Sequence, residues 1–304
     1  MKKIYAILLL AFLSLSLVSC TGGTGGESTD QQFRTNVYTG TQGLVMRIVP
    51  GSIPTRVFEE QNLNVLIELQ NKGVYPLSGT IHISGYDPNI INFFEPDKSF
   101  GVLDERSPFV NIEGGIDTTE FTSGPITLPP GVDSINQKFV VNACYRYRTL
   151  ASATVCVDPN PFSLVQTKSC KPGTVTMSGG QGAPVSVTSV IPEFSTNKVF
   201  FKINVRNSGI GTVIKSSSTT GGKCPFKLDF NDINQFDYRV ELGGVQGKCS
   251  PERPVRLINN QVSIFCTFDI PKGNIDAYQT ALTTTIDYGY KESLSTNVQI
   301  LKAP

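Results

Sequence analysis

Apolar and polar side chains alternate along most of this chain in short runs. Examples are Leu63-Asn64-Val65-Leu66-Ile67-Glu68-Leu69, Thr80-Ile81-His82-Ile83-Ser84, Val199-Phe200-Phe201-Lys202-Ile203-Asn204-Val205 and Gln261-Val262-Ser263-Ile264-Phe265-Cys266. A period of two places every second residue on one face, which is the pattern of a half-buried β-strand. The i, i+3, i+4 spacing of an amphipathic helix is not found in the body of the chain. The runs are divided by turn formers, 28 Gly and 19 Pro in 304 residues. Many short strands separated by turns predict an all-β protein built as sandwiches.

One run breaks the alternation. Ile4 to Val18 is almost continuously apolar and follows Lys2 and Lys3, the layout of an export signal. At about 15 residues, or roughly 22 Å as a helix, it falls short of a ~30 Å hydrocarbon core. No transmembrane helix is therefore expected in the mature chain. The next residues, Leu17-Val18-Ser19-Cys20, resemble the lipobox of prokaryotic lipoproteins. That resemblance implies a signal peptide over residues 1–19, cleavage before Cys20, and a diacylglycerol on its sulfur that anchors the protein outside the cytoplasm. The competing reading is a chance cysteine beside an ordinary cleavage site, with Thr21 or a nearby glycine as the mature start. Beyond it, TGGTGGESTD carries no large apolar residue. Such a segment cannot pack, and residues 20–42 are expected to form a flexible tether.

Charge narrows the partners. The chain carries a net charge of +1, and loss of Lys2 and Lys3 with the signal leaves 24 basic against 25 acidic side chains. That balance gives no electrostatic basis for binding nucleic acid or for a polybasic membrane patch.

The two halves repeat each other. Ile67-Glu68-Leu69-Gln70-Asn71-Lys72-Gly73 matches Ile203-Asn204-Val205-Arg206-Asn207-Ser208-Gly209, and Tyr145-Arg146-Tyr147-Arg148 matches Tyr288-Gly289-Tyr290-Lys291. Ile53-Pro54 pairs more weakly with Ile191-Pro192. Matches in the same order at nearly the same offset argue for tandem copies of one domain. The expected division is a first sandwich over 43–159, a linker over 160–182, and a second sandwich over 183–304.

With Cys20 set aside, six cysteines remain: Cys144, Cys156, Cys170, Cys224, Cys249 and Cys266. An even set in an exported chain suggests three disulfides. A hairpin centred on Leu150 would place Cys144 opposite Cys156, at a separation suited to a bridge. On that reading the bridge lies on a solvated face, because the second copy has Asp287 and Gln299 there, while Tyr145, Tyr147, Val155 and Val157 point to the core. Cys249 with Cys266 and Cys170 with Cys224 are favoured for the rest, with other connectivities open. No close C-x2-4-C pair exists, so a zinc site is not expected.

The N-x-G turn after an alternating strand, at Asn71-Lys72-Gly73 and Asn207-Ser208-Gly209, together with the Tyr-x-Tyr segments, resembles CARDB-type domains. These are immunoglobulin-like seven-stranded sandwiches of prokaryotic, notably archaeal, surface proteins. The resemblance implies two tandem immunoglobulin-like sandwiches and no catalytic residues. Both copies depart from a compact module, by insertions around residues 93–130 and 216–254.

Catalytic parts are scarce. The sole histidine, His82, lies in an alternating strand beside Thr80 and Ser84 and is expected to meet solvent. There is no G-x-S-x-G, H-E-x-x-H or P-loop motif. Asp104-Glu105 and Glu95-Pro96-Asp97 are the nearest to a paired-carboxylate site, and solvated turns account for them. The stretch from Asp229 to Asp237 is rich in oxygen ligands, but Ile233 breaks the calcium-loop register and a polar turn is expected. Tyr86, Phe93, Phe94 and Phe100 fit either a sandwich core or a sugar-stacking surface. The expectation is a noncatalytic, lipid-anchored surface protein with no cofactor and no metal, in a structural, adhesive or partner-binding role. Its partners would be the membrane, through Cys20, and a protein or glycan of the envelope. The alternatives are a carbohydrate- or substrate-binding accessory lipoprotein and, behind it, an extracytoplasmic hydrolase.

Overall fold

A computed structural model describes residues 38–161, 168–195, 198–270 and 276–304. The expected signal peptide, Cys20 and the expected tether up to residue 37 lie outside the described residues. Strand follows strand: β1 (Leu44–Ile48), β2 (Arg56–Phe58), β3 (Asn62–Asn71), β4 (Leu77–Ser84), β5 (Asp97–Leu103), β6 (Ile116–Pro125), β7 (Ser134–Val157), β8 (Val175–Thr176) and β9 (Val185–Ser195). The second half holds β10 (Lys198–Asn207), β11 (Thr212–Ile214), β12 (Gln235–Leu242), β13 (Val245–Gln246), β14 (Lys248–Ser250), β15 (Val255–Arg256), β16 (Gln261–Asp269) and β17 (Tyr278–Leu301). The 3-10 turn Ser216–Thr219 interrupts them. The chain is an all-β sandwich, as the alternation predicts.

A three-stranded sheet, β1-β3-β6, lies in the first repeat, and a five-stranded sheet, β14-β16-β10-β9-β8, in the second. Both contribute to one hydrophobic core with a nine-stranded sheet in which β17 and β7 are central. The period-two pattern sets which residues enter that core. In β3, Leu63, Val65, Ile67 and Leu69 are buried, and in β10, Val199, Phe201, Ile203 and Val205.

The hairpin expected at Leu150 does not form. β7 runs straight through that position for 24 residues, about 80 Å at ~3.3 Å per residue. It pairs antiparallel with the equally long β17 along its whole length, from Ser134↔Leu301 to Val157↔Tyr278. The local sequence explains this. Arg148-Thr149-Leu150-Ala151-Ser152 offers no Gly, Asn or Pro to supply the positive φ of a tight reversal, so the chain stays extended.

The consequence is an exchange of strands between the repeats. The first half of β7 sits beside β4 through Gly79↔Tyr145 to Ser84↔Val140, and its other neighbour there is the end of β17. The start of β17 sits beside β12 through Asp237↔Asp287 to Leu242↔Leu282, and its other neighbour is the end of β7. Each sheet is completed by the far end of the other repeat's last strand, and Val37–Pro304 forms one compact unit.

Inward residues of the two long strands form a continuous face. Phe139, Val141, Ala143, Tyr145, Tyr147, Ala151, Ala153, Val155 and Val157 are buried on β7, with Leu282, Ile286, Tyr288, Tyr290, Val298 and Ile300 on β17. The Tyr-x-Tyr motifs meet where the repeats cross. Tyr145 pairs with Tyr290 and Tyr147 with Tyr288, and their rings form a closed quartet with neighbouring centroids 5.9–6.2 Å apart.

Straightening of β7 also changes the disulfides. Cys144 and Cys156 are 12 residues apart on one strand, about 40 Å, and cannot meet. Cys144 bonds to Cys224, and Cys156 to Cys170. The expected Cys170–Cys224 bridge is likewise absent. Cys249–Cys266 forms as expected between directly opposed residues of β14 and β16, with Cα atoms 4.0 Å apart.

Residues 168–182, expected as linker, pack against the body. Gly180 bridges to Gly40, the amide of Val74 donates to the Gly182 carbonyl (3.0 Å), and Gln181 exchanges two hydrogen bonds with Val187.

Candidate functional site

The repeats differ most where β4 of the first copy runs unbroken and its counterpart in the second is cut in two. β11 pairs with β17 up to Ile214↔Gly289, and β12 resumes at Asp237↔Asp287. Between them the chain makes an excursion over residues 215–234. Asp232 organises it. Its buried carboxylate accepts hydrogen bonds from Ser218 Oγ (2.6 Å), Lys223 Nζ (3.2 Å) and the Asp229 amide (3.1 Å). The Ser218 bond, followed by the amide and the lysine, holds its pKa below the usual carboxylate range. The oxygen-rich stretch is thus a polar turn closed on itself, and no metal-holding cluster occurs among the described residues.

Two contacts dock the excursion on the outer face of the first repeat. Cys224 bonds to Cys144, and the Phe226 ring meets the His82 ring edge-on with centroids 4.4 Å apart. Cys144 and His82 share that face by strand alternation, since His82 opposes Asn142 and Thr80 opposes Cys144. The sequence places these side chains toward solvent. The structure covers them instead, because a segment of the second repeat, 80 residues from Cys144 at Cys224, folds over them: Cys144 is fully buried and His82 half-buried. His82 Nδ1 is hydrogen-bonded to the Asp97 carboxylate on neighbouring β5.

Beside these contacts lies a cleft of about 740 Å³. Its floor is the outer face of β4 and β5, with Ser78, Thr80 and Ser99, and its far wall is the excursion from Thr219 to Lys227. Arg146 stands between them, at the residue that pairs with Gly289 where the repeats cross. Arg146 Nε donates to Thr219 Oγ1 (3.3 Å), and its two terminal nitrogens have no hydrogen-bond partner among the described residues. Lys227 adds a second positive charge to the lining, against Asp97 alone as an acid. Lys98 borders the cleft, but its ammonium lies over the Phe121 ring of the core and pairs with Glu95 (3.5 Å). At the tip of the excursion Gly221 and Gly222 hold φ of +72° and +70°, a conformation that favours glycine.

Of the residues singled out in the sequence, His82, Asp97 and Phe100 line or border this cleft. Tyr86 and Phe93 pack in the core, where their rings lie 5.0 Å apart, and Phe94 is exposed away from it. Asp104, Glu105 and Glu95 are not part of the lining. Arg146, Thr219 and Phe226 escape sequence reading. One signal bears on them: Cys224 is one of six cysteines read as disulfide-forming, so its segment has to be tied to another part of the chain.

No family model and no curated protein matches the chain. Among solved structures, the sialic acid binding region of a Streptococcus sanguinis SK1 adhesin, bound to 3'sLn, aligns at 14% identity and a TM-score of 0.19, covering 87% of this chain and 78% of that one. The CupB6 tip adhesin from Pseudomonas aeruginosa aligns at 11% identity and a TM-score of 0.16, covering 87% and 97%. TM-scores this low do not identify a common fold.

Proposed function

We propose that this is an exported, lipid-anchored surface protein that binds an extracellular partner without transforming it, and that the junction cleft is where the partner sits. The observation that carries the reading is the cleft's construction. It exists only where the two repeats meet, and it is held by the Cys144–Cys224 bond and the 24-residue β7–β17 ladder, so it is preorganised for contact. The lipobox-like Leu17-Val18-Ser19-Cys20 and the glycine-rich segment after it support an acyl anchor and tether. The three disulfides fit an oxidising compartment. Hydrolysis of a glycoside uses two carboxyl groups, whereas the cleft presents one, already bonded to His82.

Two measurements test the proposal. Intact-mass analysis of the mature protein checks the anchor; a chain starting at Thr21 with an unmodified terminus defeats that part. Binding to immobilised envelope polymers and glycans, with and without Ser99→Trp to fill the cleft, checks the site. Binding that survives the tryptophan at full strength places the partner elsewhere.

A further inference from the structure

We infer that the junction cleft is a receptor for a carboxylate-bearing saccharide, with the Arg146 guanidinium as the group that reads its charge. The inference rests on the reading of the cleft as the binding site and adds the ligand class. Three features of the lining set it. The charge is unbalanced, with Arg146 and Lys227 facing one acid, Asp97, whose carboxylate is engaged by His82. Arg146 is held at Nε by Thr219, so its planar fork is oriented while both terminal nitrogens stay available for a bidentate carboxylate. The Phe226 ring meets His82 nearly at right angles and remains 61% exposed, which leaves apolar aromatic surface at the cleft wall.

Around these stand the hydroxyls of Ser78, Thr80, Ser99 and Thr220. Each both donates and accepts, which suits the mixed hydrogen bonding of ring hydroxyls. A simple inorganic anion would use the arginine alone and leave most of a 740 Å³ space unfilled. A neutral saccharide would leave the guanidinium without a counter-charge. A saccharide unit with one carboxylate uses all three features.

The test is calorimetric titration of the mature protein with a panel of uronate oligosaccharides and with their methyl esters, which keep the sugar and remove the charge. At low salt the acidic forms are expected to bind at least tenfold more tightly than the esters, with the difference shrinking as salt rises. Arg146→Gln is expected to erase that difference while leaving the thermal midpoint in place, since the side chain is exposed. Equal binding of acid and ester, or a preference that survives Arg146→Gln, overturns the charge reading; if Ser99→Trp still blocks the neutral sugar, the cleft remains the site. Failure of every acidic member to bind overturns the inference outright. Binding indifferent to Ser99→Trp overturns the cleft as well.

Discussion

The Tyr147 hydroxyl fills the space that a side chain on Gly73 would need: a Cβ built there would lie 1.7 Å from its oxygen. The second repeat repeats the arrangement with Tyr290 and Gly209, where the corresponding distance is 2.5 Å. The N-x-G turns and the Tyr-x-Tyr segments are thus two halves of one device. The asparagine shapes the turn, as Asn71 Nδ2 donates to the Tyr75 carbonyl and Asn207 Nδ2 to that of Gly211. The glycine then leaves room for the buried hydroxyl. Tyr147 donates to the Gly182 carbonyl and Tyr290 to Asn207 Oδ1, so neither oxygen is stranded in the core.

Gly73→Ala is expected to destabilise the protein by about 2–4 kcal/mol, because the clash falls on a buried ring and on the Gly182 carbonyl, which lies 2.7 Å from the added carbon. Gly101→Ala, with no atom within 4 Å of its added carbon, serves as the neutral control. Chemical denaturation reads both. In a double-mutant cycle, Tyr147→Phe is expected to recover part of the Gly73→Ala loss, and strict additivity would show that the two residues do not compete for the space.

Glu292 is buried beside the tyrosine quartet, where its Oε1 lies 3.1 Å from the Tyr145 hydroxyl. Burial raises its pKa to about 7 from the ordinary 4.5, with the Tyr145 hydrogen bond partly opposing the rise. The folded state therefore holds the proton more tightly than the unfolded state. Its contribution is most favourable below about 4.5 and declines as pH rises through about 7. Glu292→Gln removes that titration and is expected to stabilise the protein more at pH 8 than at pH 5. Equal effects at the two values in thermal melts would show that Glu292 ionises freely.

Peptide mapping of the nonreduced protein is expected to recover Cys144 with Cys224 and Cys156 with Cys170. Closing the 80-residue separation between Cys144 and Cys224 is worth up to about 4.5 kcal/mol by the chain-entropy account. Cys144→Ser with Cys224→Ser should lower the thermal midpoint and loosen the excursion around Phe226. A Cys144–Cys156 peptide would restore the hairpin and overturn the strand exchange.

Hydrogen exchange distinguishes the same alternatives without substitution. Leu150 pairs with Thr285 in mid-ladder although its side chain is exposed. Amides from Arg148 to Ser152 are expected to exchange as slowly as those of the flanking strand, whereas a hairpin tip would exchange rapidly.

The sequence by itself determined the strands, their inward faces, the repeat and the need for three disulfides, because alternation, internal matches and cysteine parity are properties of the chain read locally. It placed Tyr145, Tyr147, Val155 and Val157 inward correctly, since facing depends only on the pleat. Only the tertiary structure decided which strand each of them meets. An extended segment such as Arg148 to Ser152 can double back on its own copy or continue into the other, and the alternation is identical in both cases. The absence of a turn former there hints at the outcome, but the choice is made by β17, which offers the full length of β7 a partner. From that choice follow the Cys144–Cys224 bridge, the covering of His82 and the cleft beside Arg146. All three join residues whose proximity is created by the crossing of two long strands, a relation that no local pattern in the chain encodes.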